Sequence, residues 1–256
     1  MKFFFALVLI YLPLIVFSQS EYTYKAVYEL TFKADSTAGY QNTRLVLLMN
    51  DNQDSYFQDY ETYKRDSVNS SQLTGTGAFV KDIVITDYSD RKIHISQTFE
   101  NAKVYYTETI PQKWQITPTK KLIGTIQCKE ATLNAYGRKW NACFAEDYPF
   151  QFGPYFFSGL PGLIVSVEDE QRFYQFKLVS FNKENHAVAV SGKGIEVPKE
   201  KYYQMIYDAD FSGNFFNKFK MQDADEQERL KRKFIEGTKK LNTFPVDQSM
   251  RYVFEK

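Results

Sequence analysis

Residues 153–168 read GPYFFSGLPGLIVSVE and form the corner around which the chain is organised. Pro161 fixes φ at the second position of a turn, and Gly162 allows the positive φ that a type II turn needs at its third position. Leu160 precedes a proline and is therefore expected to be extended. From Leu163 onward the apolar residues predict a strand. The stretch is therefore predicted to be a rigid corner that leads into a sheet.

Strand-like patterns fill most of the chain before residue 192. Residues 22–32 alternate with a period of two, which predicts a strand with one buried face. Further strand-like runs follow at short intervals, separated by turn-like tetrads such as 87–90 and 169–172. Ten or more strands joined by short turns favour a mainly β fold, arranged as an antiparallel meander, over alternating strand–helix units.

Three segments are assigned other roles. Residues 60–77 are polar and contain two glycines, which predicts a surface loop. The region 199–241 predicts α-helices, because Pro198 suits a first helical turn and residues 223–240 place acidic residues first and lysines last. These helices are expected to pack against the sheet, and a partner-binding helix is the alternative. Residues 250–255 predict a short strand that returns to the sheet.

Residues 1–18 have the features of a secretory signal peptide. Lys2 precedes an apolar run that ends near Ser18, which predicts cleavage before Gln19. A membrane anchor is the alternative, but the run is short for a bilayer and contains Pro13. We therefore expect a single β-rich domain, residues 19–256, that is secreted or periplasmic and does not span a membrane once the signal is removed.

The charge balance and the histidine count exclude several classes of function. Removal of Lys2 with the signal lowers the 32 basic residues to 31, which equals the 31 acidic ones. A net charge near zero gives no electrostatic footprint for nucleic acid. The two histidines, His94 and His186, have no ligand spacing with a cysteine. We therefore predict no metal site and no cofactor.

The two cysteines predict a disulfide. Cys128 and Cys143 lie in the strand-like segments 125–133 and 138–145, on either side of the turn-like tetrad 134–137. A hairpin at this point places them roughly opposite each other. Because an exported chain meets an oxidising compartment, an even cysteine count favours a cross-strand disulfide. Two buried free thiols are the alternative.

The corner stretch also carries a family motif. Its residues Gly159, Leu160, Pro161, Gly162, Leu163 and Ile164 spell GLPGLI. Matching elements occur in order at 45–48 with 55–57, 121–124 with Cys128, Gly137 and Arg138 with Trp140, and 153–156. The chain thus resembles the GLPGLI family of secreted proteins of Bacteroidetes-type bacteria. The resemblance implies a single curved, half-barrel-like sheet around helical or loop elements, and it implies no particular activity or disulfide.

Six aromatic residues next to the corner are the candidate binding set: Tyr148, Phe150, Phe152, Tyr155, Phe156 and Phe157. An aromatic pocket with few polar groups holds lipids or hydrophobic peptides. The alternative role of these rings is to bury the corner against the sheet. The set therefore predicts a binding surface beside a rigid rim.

Catalytic constellations are weak in this sequence. Ser158 precedes a turn into a strand and lacks the Gly-x-Ser-x-Gly nucleophile elbow, which leads into a helix. We therefore predict a non-enzymatic protein, with no catalytic residue, that binds a hydrophobic ligand or a cell-envelope partner. One alternative is a carboxylate-dependent hydrolase that uses Glu146, Asp147 or Glu168. The other is an interaction protein whose 199–241 helices, or an exposed strand edge, dock to an outer-membrane transporter or assembly.

Overall fold

A twelve-stranded sheet that curves without closing makes up most of the described chain. This computed structural model describes residues 19–33, 39–68, 80–99, 101–110, 113–189, 194–213, 216, 223–239 and 246–254. The predicted signal segment 1–18 and residues 69–77 of the predicted loop lie outside these ranges.

The strands and helices follow one another in a long β run with helices mainly at the end. The strands are β1 (Gln19–Lys33), β2 (Tyr40–Met49), β3 (Asp54–Asp59), β4 (Ile83–Asp87), β5 (Lys92–Phe99), β6 (Ala102–Thr109), β7 (Gln115–Ile123), β8 (Ile126–Ala135), β9 (Arg138–Ala145), β10 (Leu163–Asp169), β11 (Tyr174–Ala189) and β12 (Ile195–Glu196). The α-helices are α1 (Tyr60–Val68), α2 (Lys199–Ile206) and α3 (Ala224–Lys239). A π-helical segment, Tyr207–Phe211, and a 3-10 helix, Gln248–Val253, complete the described elements.

Two antiparallel meanders meet at the centre of the sheet. The strand order is β12-β6-β5-β4-β3-β2-β1-β11-β10-β9-β8-β7. β1 pairs with β2 on one side and with β11 on the other, so the first and last long strands of the sheet are neighbours. Among the strands that the structure describes, only the short β12 is parallel to its neighbour, β6. The predicted mainly β, half-barrel-like meander is confirmed.

The main core lies on the inner face of the sheet, which is filled with side chains. Tyr28 and Leu30 of β1 are fully buried there, as the period-two pattern predicts. The corner segment adds Phe157, α2 adds Tyr202 and the C-terminal 3-10 helix adds Val253, each fully buried in the same core. The inner side of the curved sheet is therefore a packed core and not an open trough.

The prediction of a loop over 60–68 is wrong, because these residues form α1. Asp59 caps this helix: its Oδ1 accepts hydrogen bonds from Thr62 N at 2.9 Å and from Thr62 Oγ1 at 3.0 Å. Tyr60 and Tyr63, three residues apart, share one helical face. They cover a second apolar cluster on the outer face of the sheet, formed by Tyr22, Val46, Leu48 and Tyr56. The polar composition of the segment hides this aromatic spacing.

The predicted C-terminal strand at 250–255 is also wrong. Gln248–Val253 is a 3-10 helix, and the side chain of Asp247 accepts a hydrogen bond from Ser249 N at 3.0 Å at its start. Val253 is its one fully buried residue. A helical turn needs only one such anchor, and a short apolar run does not distinguish it from a strand.

The C-terminal helices differ in how they are held. α2 follows Pro198, and its residues Tyr202, Tyr203 and Ile206 are buried in the main core. Asp223 caps α3 by accepting a hydrogen bond from Asp225 N at 2.9 Å. The Phe234 ring of α3 packs 5.8 Å from that of Phe216. No described side chain of α3 is fully buried, so α2 is the helix that anchors this region to the sheet.

The predicted disulfide is confirmed. β8 and β9 form a hairpin whose two turn residues, Tyr136 and Gly137, have φ of 57° and 68°, as a type I′ turn requires. Glu130 lies opposite Cys143, so the disulfide partner Cys128 lies diagonally across the pair with a Cα–Cα distance of 5.5 Å. The disulfide therefore joins two adjacent strands.

Removing the disulfide is expected to lower stability by about 2 to 3 kcal/mol. The bridge closes a loop with a sequence separation of 15, and its main effect is to restrict the unfolded chain. The double variant Cys128→Ala/Cys143→Ala tests this in urea denaturation, with wild-type protein under reducing conditions as the control. Free energies of unfolding within about 0.5 kcal/mol of oxidised wild type would contradict the expectation.

A buried ion pair joins this hairpin to the end of β10, and its arginine also holds the C-terminal segment. Arg138 Nη1 lies 3.2 Å from Asp169 Oδ2, and both side chains are 3% exposed. Arg138 Nε also donates to the Val246 carbonyl at 3.1 Å, and Asp169 Oδ1 accepts from Tyr174 N at 2.7 Å. The pair is therefore hydrogen-bonded on both sides, which is what a buried charge pair needs in order to be tolerated.

Candidate functional site

The GLPGLI corner is held by backbone hydrogen bonds and by a close approach at Gly162. Gly162 N donates to the Leu160 carbonyl at 2.8 Å, so the turn spans three residues and is tighter than the predicted type II turn. Leu163 N donates to the Tyr148 carbonyl at 3.0 Å. A Cβ at Gly162 would lie 2.4 Å from the Ala145 carbonyl oxygen. Glycine is thus required by packing against the end of β9, and not by a type II turn.

The six candidate aromatic residues fall into two groups. Tyr155, Phe156 and Phe157 are buried in the core, where the Phe157 ring lies 4.6 Å from that of Trp140. Tyr148 and Phe150 are half-buried at the end of the sheet. Phe152 is buried but borders the same open groove as these two. The structure therefore separates a core group from a group that faces solvent.

We call this opening the aromatic groove, a cavity of about 340 Å³ at one end of the sheet. Its apolar lining comes from β1, the β4–β5 turn, β11 and the segment 147–152 that precedes the corner, and its polar lining from the β2–β3 turn and the same segment 147–152. The aromatic members are Tyr24, Tyr88, Tyr148, Phe150, Phe152 and Phe181. The polar members are Asn50, Asp51, Gln53, Asp147 and Gln151.

Four of these rings form a continuous platform. Tyr24 lies 4.7 Å from Phe150 and 6.0 Å from Phe181, measured between ring centroids, and Tyr148 lies 4.8 Å from Phe181. All four residues are partly buried and pack against the main core. Each ring is thus held by its neighbours while part of its surface faces the groove.

The polar rim combines a fixed turn with two exposed carboxylates. Asn50 Oδ1 accepts from Asp54 N at 2.9 Å and orders the β2–β3 turn that carries Asp51. Asp51 and Asp147 are exposed, and within the described ranges neither takes part in an ion pair or a side-chain hydrogen bond. The Lys183 ammonium group lies over an aromatic ring, since its Nζ is 5.7 Å from the centroid of Tyr24.

Sequence reasoning places only part of this groove. Tyr148, Phe150 and Phe152 are in the predicted set, whereas Tyr24, Tyr88, Phe181 and Asp51 are not. Tyr24 and Phe181 belong to strands, where an aromatic residue ordinarily indicates core. Position in sequence does not show that β1 and β11 are neighbours, which places the Tyr24 and Phe181 rings side by side.

The acids proposed for a hydrolase lie in different places. Glu146 forms an exposed ion pair with Lys129 at 2.8 Å. Asp147 lines the aromatic groove, whereas Glu168 lies 3.6 Å from Arg172 Nε and lines a second, polar groove on the outer face of the sheet. The three carboxylates therefore do not share a groove, as a two-carboxylate hydrolase would need.

The remaining nucleophile and ligand candidates have structural contacts. Trp114 Nε1 donates to the carbonyl of the buried Ser158 at 2.9 Å. His94 Nδ1 lies 3.1 Å from Thr107 Oγ1, and His186 Nδ1 lies 2.6 Å from the Tyr63 hydroxyl. Among the residues that the structure describes, no group of three His, Cys, Asp or Glu side chains is placed to hold a metal ion.

Asp82 is a buried acid that the sequence does not single out. Its Oδ1 accepts hydrogen bonds from the Tyr202 hydroxyl at 2.7 Å and from Gln97 Nε2 at 2.6 Å, and its Oδ2 accepts from the Tyr155 hydroxyl. Burial raises the pKa of this carboxyl, while the three hydrogen bonds act in the opposite direction. Asp82 thus ties the corner segment to α2 through two tyrosines.

Comparisons with known proteins support the fold and no more. No protein-family model matches the chain, and no curated protein is similar to it in sequence. Two crystal forms of PNGF-II are similar in structure, with a TM-score of 0.57 and 13% identity each. The matches cover 73% and 75% of this chain. They cover 34% and 33% of PNGF-II, so this chain spans about a third of that protein's length. A LolA superfamily protein, NE2245 from Nitrosomonas europaea, has a TM-score of 0.28 and 8% identity over 70% of this chain and 88% of its own.

Proposed function

We propose that this protein is a non-enzymatic binding protein that works outside the cytoplasm. Its aromatic groove would hold a ligand, or a segment of a cell-envelope partner, that presents an apolar surface. The observation that carries this proposal is the platform of Tyr24, Tyr148, Phe150 and Phe181, four rings that are linked through Phe181 and only partly covered. A concave aromatic surface with a few polar groups at its border is the usual form of a small-ligand site.

The position of the groove supports this role. The inner face of the sheet is already filled by the corner segment, α2 and the C-terminal 3-10 helix. The platform lies beyond that packing, at the end of the sheet, where the rings meet water.

The compartment and family proposals rest on other features. The Cys128–Cys143 disulfide fits a location outside the cytoplasm. No helix in the described part of the chain is long and apolar enough to span a membrane. Together with the signal-like residues 1–18, these features support a single secreted or periplasmic domain over residues 19–256. The GLPGLI corner and its ordered companion motifs support placing it with the GLPGLI family.

Truncating Phe150 is expected to weaken ligand binding by at least about tenfold, which corresponds to about 1.4 kcal/mol. Phe150 contacts both Tyr24 and Phe181, so Phe150→Ala removes one ring of the platform and two of its ring contacts. The probe is n-octyl glucoside below its micelle-forming concentration, because it carries an alkyl chain and a sugar and so does not presuppose either. Binding is followed by amide chemical-shift changes in ¹H–¹⁵N NMR spectra.

Tyr252→Ala is the matched control, since Tyr252 is 47% exposed and lies outside the groove. It should bind the probe as wild type does. Shift changes that map to another part of the sheet, or an unchanged affinity in a folded Phe150→Ala variant, would refute the groove as the site.

A further inference from the structure

We infer that the ligand of the aromatic groove is an uncharged saccharide. Its ring faces would stack on Tyr24, Phe150 and Phe181, and its hydroxyl groups would donate hydrogen bonds to Asp51 and Asp147. This inference rests on the proposed function and names the chemical class of the ligand.

The rings account for the apolar half of the recognition. One face of a pyranose consists of C–H groups with a small positive partial charge, and the face of an aromatic ring carries the negative end of its quadrupole. The two surfaces are therefore complementary. In the Tyr24, Phe150 and Phe181 group the ring centroids are 4.7 to 6.0 Å apart and the ring planes are inclined to one another by 18° to 56°, so the rings form an angled surface wider than one side chain.

The carboxylates account for the polar half. Ionised Asp51 and Asp147 can only accept hydrogen bonds, so a ligand that covers them without donors would remove their water and give nothing in return. Both side chains are exposed in the groove and free of ion pairs within the described ranges. An alkyl chain has no donors, whereas a saccharide has several hydroxyl donors on each ring.

Charges of both signs lie around the groove, so the groove has no net preference for a cationic or an anionic ligand, and an uncharged one fits it without unpaired charge. Lys183 Nζ lies over the Tyr24 ring, and the guanidinium of Arg91 lies 6.0 Å from the centroid of Tyr88. A cationic ligand on the platform would meet Lys183, and an anionic ligand would meet Asp51 and Asp147. Each sign of ligand charge thus meets a like charge as well as an opposite one, and the groove gives no electrostatic advantage to a charged ligand.

The shape of the groove also favours a saccharide over an alkyl chain. The groove is open to solvent and has a volume of about 340 Å³, near the lower end of ligand sites. A long alkyl chain needs an enclosed apolar tunnel, and the inner face of the sheet, which could have supplied one, is filled. An open groove instead admits one part of a longer saccharide while the rest stays in water.

The test first screens the wild-type protein on an array of neutral oligosaccharides. It then compares substitutions of two neighbouring acids, Asp147 and Glu146. Wild-type protein is expected to retain at least one saccharide, and isothermal titration with that saccharide then gives the dissociation constant. Asp147→Ala should raise this constant at least fivefold, and Phe150→Ala at least tenfold. Glu146→Ala, the matched control, should leave it unchanged, because Glu146 pairs with Lys129 and does not line the groove.

The other ligand classes are further arms of the same experiment. Sodium laurate and an uncharged aromatic peptide are titrated separately and followed by the same amide shifts. If either perturbs the groove and no neutral saccharide does, the saccharide inference is overturned and the proposed function stands. If no probe perturbs the groove, both are overturned. A saccharide that binds Asp147→Ala and Phe150→Ala as tightly as wild type also overturns the inference, because its site then lies elsewhere.

Discussion

Gly162→Ala is expected to lower the free energy of unfolding by at least about 4 kcal/mol, or to prevent folding. The added Cβ would lie 2.4 Å from the Ala145 carbonyl oxygen and 3.0 Å from Glu146 Cα. Both are backbone atoms at the end of β9, so no side chain can rotate away to make room. The corner would have to move from the sheet, and overpacking against backbone falls among the few mechanisms with effects this large.

The control for this substitution is Pro161→Ala in the same turn. Pro161 is exposed, and its replacement mainly increases the freedom of the unfolded chain, so a loss of about 1 kcal/mol or less is expected. Urea denaturation followed by circular dichroism measures both variants. A Gly162→Ala protein of normal stability that no longer binds the groove probe would show that the corner is part of a site, and that its role as a structural joint is mistaken.

Local features of this fold are predictable because short-range chemistry determines them. The β8–β9 hairpin follows from alternating residues around Tyr136-Gly137, and that hairpin brings Cys128 near Cys143. The helix α3 follows from its acidic start, where Asp223 caps the first turn. In each case the residues that decide the structure lie within about twenty positions of one another.

The incorrect secondary-structure predictions concern segments whose structure is determined by contacts with distant parts of the chain. Residues 60–68 look like a loop by composition, yet Tyr60 and Tyr63 form a helix because the outer face of β1–β3 presents an apolar cluster for them to cover. Residues 248–253 form a 3-10 helix because the core needs only Val253 at that point. Tertiary contacts outweigh local preference in both segments.

The aromatic groove contains residues that a local motif indicates and residues that only the sheet topology brings there. Tyr148 and Phe150 lie only 11 and 9 residues before Gly159 of the GLPGLI motif, so a motif-centred search finds them. Tyr24 and Phe181 join them only because β1 pairs with β11 across most of the chain length, with Ala26 opposite Phe181. Such a pairing is set by the whole sheet, and no local pattern contains it. The groove is therefore a product of topology more than of any motif.

Replacing Asp82 with alanine is expected to cost about 4 kcal/mol or more. Asp82 is the shared acceptor for Tyr155, Tyr202 and Gln97, and its removal leaves two buried tyrosine hydroxyls and the half-buried Gln97 amide without their acceptor. Each buried donor left unsatisfied costs about 1 to 3 kcal/mol. Tyr155 also has φ of 58°, in the left-handed region, so it depends on its contacts to keep this conformation. Denaturant unfolding of Asp82→Ala, with exposed Asp90→Ala as the control, measures the loss.

Asp82→Asn gives a separate test, because it removes the titration and keeps an acceptor. Burial raises the pKa of Asp82 in the folded protein, so the folded state holds this proton more tightly than the unfolded chain does. Its stabilising contribution is therefore complete below the unfolded pKa of about 4 and declines as pH rises through the folded pKa. Wild type should accordingly lose stability relative to Asp82→Asn as pH rises from about 4 towards neutrality, measured by urea denaturation at each pH. A difference that stays constant, or that changes in favour of wild type, would show that hydrogen bonding outweighs burial at this carboxyl.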